Sequence, residues 1–98
     1  MLRLGGLDGL AYNVGVPGPD GLDAATPDAW DATFAVNLRG PTFLVQEALP
    51  HLKASDHGAV VNVISVGAFL FGAYTSMYAA GKGGLLSMTR YMATEFAP

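Results

Sequence analysis

Ninety-eight residues bound the chain to a single domain, and at 51% hydrophobic it has ample apolar material for a core. A formal net charge of −3, spread without blocks, excludes the basic stripe of a nucleic-acid-binding protein. The absence of cysteine excludes a disulfide frame and a thiolate metal site, and makes a reducing cytoplasm the expected compartment.

The opening stretch, MLRLGGLDGL, carries one Arg and no long apolar core, so it reads as neither a signal peptide nor a membrane span. LDGLAYNVGV predicts a short strand over Gly9–Asn13 that runs into a Gly/Pro loop at residues 15–21, GVPGPDG. A helix is predicted to start in ATPDAW. Thr26 can cap it, Pro27 suits the first helical position, and Asp28 and Asp31 favour the positive end of the dipole. It continues toward Lys53, with Trp30, Phe34, Leu38, Val45, Leu49 and Leu52 marking one apolar face, until SDHG ends it. AVVNVIS, residues 59–65, is a β-branched apolar run that fits a strand buried on both faces of a parallel sheet. A loop of glycines and aromatics then leads into a last helix over about Met77–Phe96.

Strand, helix, strand, helix specifies an α/β fold with a parallel pair and a right-handed crossover. Two strands and two helices cannot cover both faces of a sheet, so the chain is expected to be a piece of a larger one. In an open α/β sheet, ligands bind outside the carboxyl ends of the strands. Asn13, Ser65 and the start of the last helix, with Tyr78 and Lys82, all fall at that edge. Asn37 interrupts the first long helix. Taken singly, each residue has an ordinary reading. Asn13 and Ser65 suit turns at strand ends, Asn37 a solvated or capping position, and Tyr78/Lys82 an i,i+4 surface contact. His51 and His57 have no metal-spaced partner and read as solvated. GKGG is not a phosphate loop, because Ser76 stands where its first Gly belongs and Gly83 where its Ser or Thr belongs.

Taken together, these residues resemble the short-chain dehydrogenases/reductases. YNVG resembles the family's Asn-Asn-Ala-Gly strand end, VNLRG its helix with the catalytic Asn, VVNVIS the strand ending in the catalytic Ser, and YAAGK its Tyr-x-x-x-Lys. The intervals also agree: 24 residues from Asn13 to Asn37, 28 to Ser65 and 13 to Tyr78. The resemblance covers nearly the whole chain and implies a partial Rossmann-like, NAD(P)-binding domain over residues 1–98. Within it no Gly-x-Gly-x-x-Gly loop precedes Asn13, and the chain is expected to lack that first half and the tail. Tyr12 and Val14 depart from the strand-end motif, and Gly81 stands where the family often has Ser.

The resemblance implies hydride transfer between NAD or NADP and a small-molecule alcohol or carbonyl substrate. Tyr78 would exchange the proton with the substrate oxygen, its phenolate favoured by the neighbouring Lys82. Ser65 would hydrogen-bond that oxygen, and Asn37 would anchor a water passing protons to Lys82. Lys82 and Tyr78, with Asn13 and Gly15, would line the cofactor. No metal is implied. The family's two long helices imply a homo-oligomer, while the fragment itself is expected to be inactive. The alternative is a non-enzymatic module that associates through those helices.

Pro41 adds an expectation from chemistry alone. It has no N–H, and in a regular helix it would leave the Asn37 carbonyl, four residues back, without its donor.

Overall fold

The computed structural model describes residues 5–19, 21–69 and 76–96; residues 70–75 of the Gly and aromatic loop lie outside the described residues. Strand β1 (Gly9–Tyr12) pairs in parallel with β2 (Ala59–Asn62), Gly9 opposite Ala59 and Tyr12 opposite Asn62. The ladder extends beyond the strands, with the Ala59 N–H on Asp8 O and the Val63 N–H on Tyr12 O, both at 2.9 Å.

Helix α1 (Pro27–Phe34) begins where the capping chemistry places it: the Ala29 N–H donates to Thr26 Oγ1 at 3.1 Å, and Pro27 opens the first turn. The long helix predicted to follow is not continuous. A π-helical turn occupies Ala35–Arg39, and α2 (Gly40–Ala54) follows directly. The Gly40 N–H bonds Ala35 O, five residues back, instead of Val36 O, four back. The wider turn changes which residues line up. The buried stripe is Thr33, Asn37, Pro41, Val45, Ala48 and Leu52; it keeps Val45 and Leu52 of the predicted face, while Phe34, Leu38 and Leu49 are half-buried and Trp30 lies outside it. Trp30 is 51% exposed and stacks on Phe34 at the outer side, ring centroids 4.1 Å apart.

The strand β2 also differs from its reading as doubly buried. Leu10, Tyr12, Val60 and Asn62 are half-buried, whereas Ala11 and Val61 on the alternating positions are exposed, Val61 by 58%. Among the described residues the helices lie against one face, and the apolar side chains of the other have nothing over them.

Helix α3 (Ser76–Phe96) returns along that covered face; Asn62 Nδ2 donates to Thr89 Oγ1 at 3.1 Å and ties it to β2. Three glycines in its first turns weaken a free helix by about 1 kcal/mol each. Two of them allow close approach. A Cβ on Gly81 would lie 3.0 Å from the Asn37 Cβ, and one on Gly84 2.8 Å from Leu38 Cδ2. The helix therefore seats its glycine face on the π turn. Val45, Ala48, Leu52, Met77 and Leu85 form the apolar core. No described helix is long and apolar enough to cross a membrane.

Candidate active site

The buried polar groups gather at the carboxyl end of the strands. Asn37 is fully buried, because the π turn directs it inward between the loop after β1 and the glycine face of α3. Its amide grips the Val16 backbone at both ends: Asn37 Nδ2 donates to Val16 O at 2.8 Å, and the Val16 N–H donates to Asn37 Oδ1 at 3.0 Å. That loop is pinned a second time at Gly18, whose φ of +73° is a left-handed conformation and whose missing Cβ would stand 3.0 Å from Thr33 Oγ1.

Lys82 is only 2% exposed, and Nζ donates to Val63 O at 3.0 Å. Val63 is the residue after β2, so the ammonium sits directly at the strand end. A buried ammonium is costly unless its N–H bonds find acceptors. Among the described residues one of its three donors is taken by Val63, and two remain for other oxygens. Gly15 closes over it: a Cβ there would meet Lys82 Nζ at 3.2 Å and Asn37 Oδ1 at 3.4 Å. Asn37, Lys82 and Gly15, chosen from the sequence, are thus brought into one cluster.

Tyr78 lies half-buried one helical turn before Lys82 and shares its face of α3. Ser65 precedes a short 3-10 turn (Val66–Ala68) that packs on α3; its Oγ accepts the Gly67 N–H at 3.0 Å. A hydroxyl that accepts there still has its own proton to donate to an oxygen. Asn13 stands exposed after β1, and the contact to the Asn37 amide is made by Val16 instead.

Two partners were not singled out from the sequence. Val63 contributes a backbone carbonyl, for which no side-chain signal exists. Tyr12 contributes its hydroxyl, which donates to Val36 O at 2.7 Å. The same contact bears on Pro41. Because the Gly40 N–H goes to Ala35 O, the five-back register continues to Val36 O, and Pro41 has no N–H to give it. Beside the Asn37 carbonyl expected from the sequence, that of Val36 is thus left to another donor, and Tyr12 bonds it. Departure from the family's strand-end motif was the one signal that could have drawn attention to Tyr12.

The cluster combines a buried ammonium with donors in hand, a glycine that lets backbone approach it, and a hydroxyl donor at the next strand end. Comparison with known proteins gives the family. The profile of the short chain dehydrogenase family matches residues 1–98. The chain belongs to that family. It is 34% identical over 93 residues to D-beta-hydroxybutyrate dehydrogenase of Cupriavidus necator, covering 95% of this chain and 36% of that protein. It is 42% identical over 93 residues to the short-chain dehydrogenase/reductase FrzI of Cladobotryum sp, covering 95% and 35%. A gluconate 5-dehydrogenase from Burkholderia cenocepacia, solved with NADP and tartrate, superposes with a TM-score of 0.90 at 35% identity, over 98% of this chain and 38% of that one. The chain therefore spans little more than a third of the length of the relatives it matches.

Proposed function

We propose that these residues form the proton-handling part of an NAD(P)-dependent oxidoreductase that interconverts a small alcohol and its ketone, within a partial NAD(P)-binding domain spanning residues 1–98. The observation that carries this reading is the buried Lys82 ammonium, fixed by Val63 O and roofed by Gly15, one turn from Tyr78.

Each residue has a task its position allows. Lys82 holds one donor on the strand end and offers the others to ribose hydroxyls and to the Tyr78 oxygen. Tyr78, one turn away on the same face of α3, takes a proton from an alcohol or returns it to a carbonyl. Ser65 donates to the substrate oxygen while the Gly67 N–H fixes its orientation. Asn37 holds the Val16 backbone and so keeps Gly15 in place against the ammonium. Asn37 is also read as the anchor of a proton-relaying water, through the carbonyl to which Pro41 has no N–H to give, and Asn13 with Gly15 as lining the cofactor. The nicotinamide, when bound, supplies the hydride.

By themselves the 98 residues are expected not to turn over, since no Gly-x-Gly-x-x-Gly pattern for the pyrophosphate lies within them. The working enzyme is read as a cytoplasmic homo-oligomer. Phe43 and Leu44 on α2 and Tyr91 on α3 expose apolar surface suited to a second copy.

The test joins these residues to the cofactor loop and remaining strands of a relative and follows NADH and NADPH oxidation with a panel of ketones. Turnover is expected, and Tyr78→Phe should lower it by roughly 10²–10⁴-fold while cofactor binding persists. A folded chimera that binds neither nucleotide would refute the reading.

A further inference from the structure

Tyr12, Gly40 and Pro41 meet at one point that neither the motifs nor the chemistry above uses. The Tyr12 hydroxyl reaches Val36 O from the end of β1, across 24 positions of chain. Room for it exists only because residue 40 has no side chain. A Cβ on Gly40, whose φ of −56° any residue could adopt, would lie 2.8 Å from the phenol oxygen and 2.9 Å from Ala35 O. Pro41 is fully buried and withholds the N–H that a five-back register would have delivered to the same carbonyl. A part-buried carbonyl without a donor is destabilising, and a π turn is a rare local departure from the α register.

From this we infer that Tyr12 is a positioning residue: its phenol supplies the donor that Pro41 lacks, and so holds the π turn that aims Asn37 at Val16. Loss of the hydroxyl leaves Val36 O to compete for the Gly40 N–H. That exchange is the step from π to α geometry, and it rotates Asn37 away from the loop. The Asn37 amide then releases Val16, and Gly15 is no longer held over Lys82. The catalytic consequence rests on the oxidoreductase reading; the hydrogen-bond exchange does not, so the two can fail separately.

Tyr12→Phe in the full chain removes one oxygen and keeps the ring. Amide hydrogen exchange followed by NMR should show the Val16 N–H exchanging roughly tenfold faster. The Ala59 N–H, bonded to Asp8 O at the far end of the strand, should be unchanged. Pro41→Ala restores an N–H that the five-back register directs at Val36 O. In that background Tyr12→Phe should have little further effect on Val16. This rescue separates a missing donor from lost packing, because Pro41→Ala adds no bulk. Three results would each overturn the inference: an unchanged Val16 rate in Tyr12→Phe, an equal acceleration with Ala at position 41, or Val16 and Ala59 accelerating together.

Discussion

At the carboxyl end of the strands, buried polar groups satisfy one another. The Asn37 amide closes on the Val16 backbone, Lys82 donates to Val63 O, and Tyr12 to Val36 O. At the amino end, α2, β2 and α3 border a groove of about 610 Å³ lined by Val45, Leu49, Leu52, Met92 and Phe96. Polar contacts there are few: Ser55 Oγ with Asp8 and the Lys53 ammonium 5.7 Å from the Phe96 ring at the rim, and Asn62 Nδ2 with Thr89 Oγ1 inside. Asn62, the last residue of β2, lines the groove from the far side, and among the described residues its buried Oδ1 has no donor. The contrast separates two ways of holding a fold. One end depends on completed hydrogen bonds between distant segments, so almost any change there leaves a group orphaned. The other rests on apolar contact around open space, where polar groups are already expendable.

The largest effect expected from this contrast is that of Asn37→Ala. It strands the Val16 N–H and C=O together, and each unpaired buried group costs about 1–3 kcal/mol. Denaturant unfolding should report a loss of about 2–4 kcal/mol, a large share of the total for a small domain. A loss under about 0.5 kcal/mol, the range of surface substitutions, would mean that water replaces the clamp readily, and the contrast between the two ends would collapse. A smaller effect should change sign within a single helix. Gly83→Ala meets nothing within 4 Å and should stabilise α3 by about 0.5–1 kcal/mol through helix propensity. Gly81→Ala gains the same propensity but presses its Cβ to 3.0 Å from the Asn37 Cβ. Asn37 is fixed through its amide and cannot give way, so a net loss of about 1 kcal/mol is expected in thermal unfolding. Equal stabilisation by both would show that the clamp is slack.

How much of this could be read from the chain follows the same division. Local chemistry was legible: Thr26 and Pro27 open α1 as expected, the parallel pair forms, and Tyr78 and Lys82 share a helical face. The family resemblance brought Asn37, Lys82 and Gly15 onto one list, and the fold brings them within touching distance. What was not legible is bonding between segments through the backbone. Helical periodicity assumes a regular ladder, so it could foresee neither the π turn nor the stripe from Thr33 through Asn37 to Pro41. The Pro41 argument assumed a regular ladder, and so missed that the π turn leaves Val36 O, one residue earlier, to a side-chain donor. Apolar strand residues also cannot tell a face that is covered from one that is not, as Val61 illustrates.

The finest test of the contrast is Asn62→Leu, which takes a polar side chain out of the loosely built end. Two opposing consequences decide its sign. The substitution removes the donation from Nδ2 to Thr89 Oγ1 at 3.1 Å, a net worth of about 1 kcal/mol. Thr89 is not orphaned by that loss, because its hydroxyl still donates to Leu85 O at 2.6 Å. The substitution also removes Oδ1, whose burial without a donor already costs about 1–3 kcal/mol. Leu has as many side-chain heavy atoms as Asn, and the groove beside it has space for its bulkier methyl groups. The sum runs from neutral to a gain of about 2 kcal/mol, each kcal/mol being equivalent to a rise of about 4–8 °C in Tm for a domain of this size. A drop of more than about 1 kcal/mol would exceed what one neutral hydrogen bond supplies. It would mean that the Asn62 amide pins α3 to β2 much as Asn37 pins the loop, and that the groove end too is held by its polar contacts.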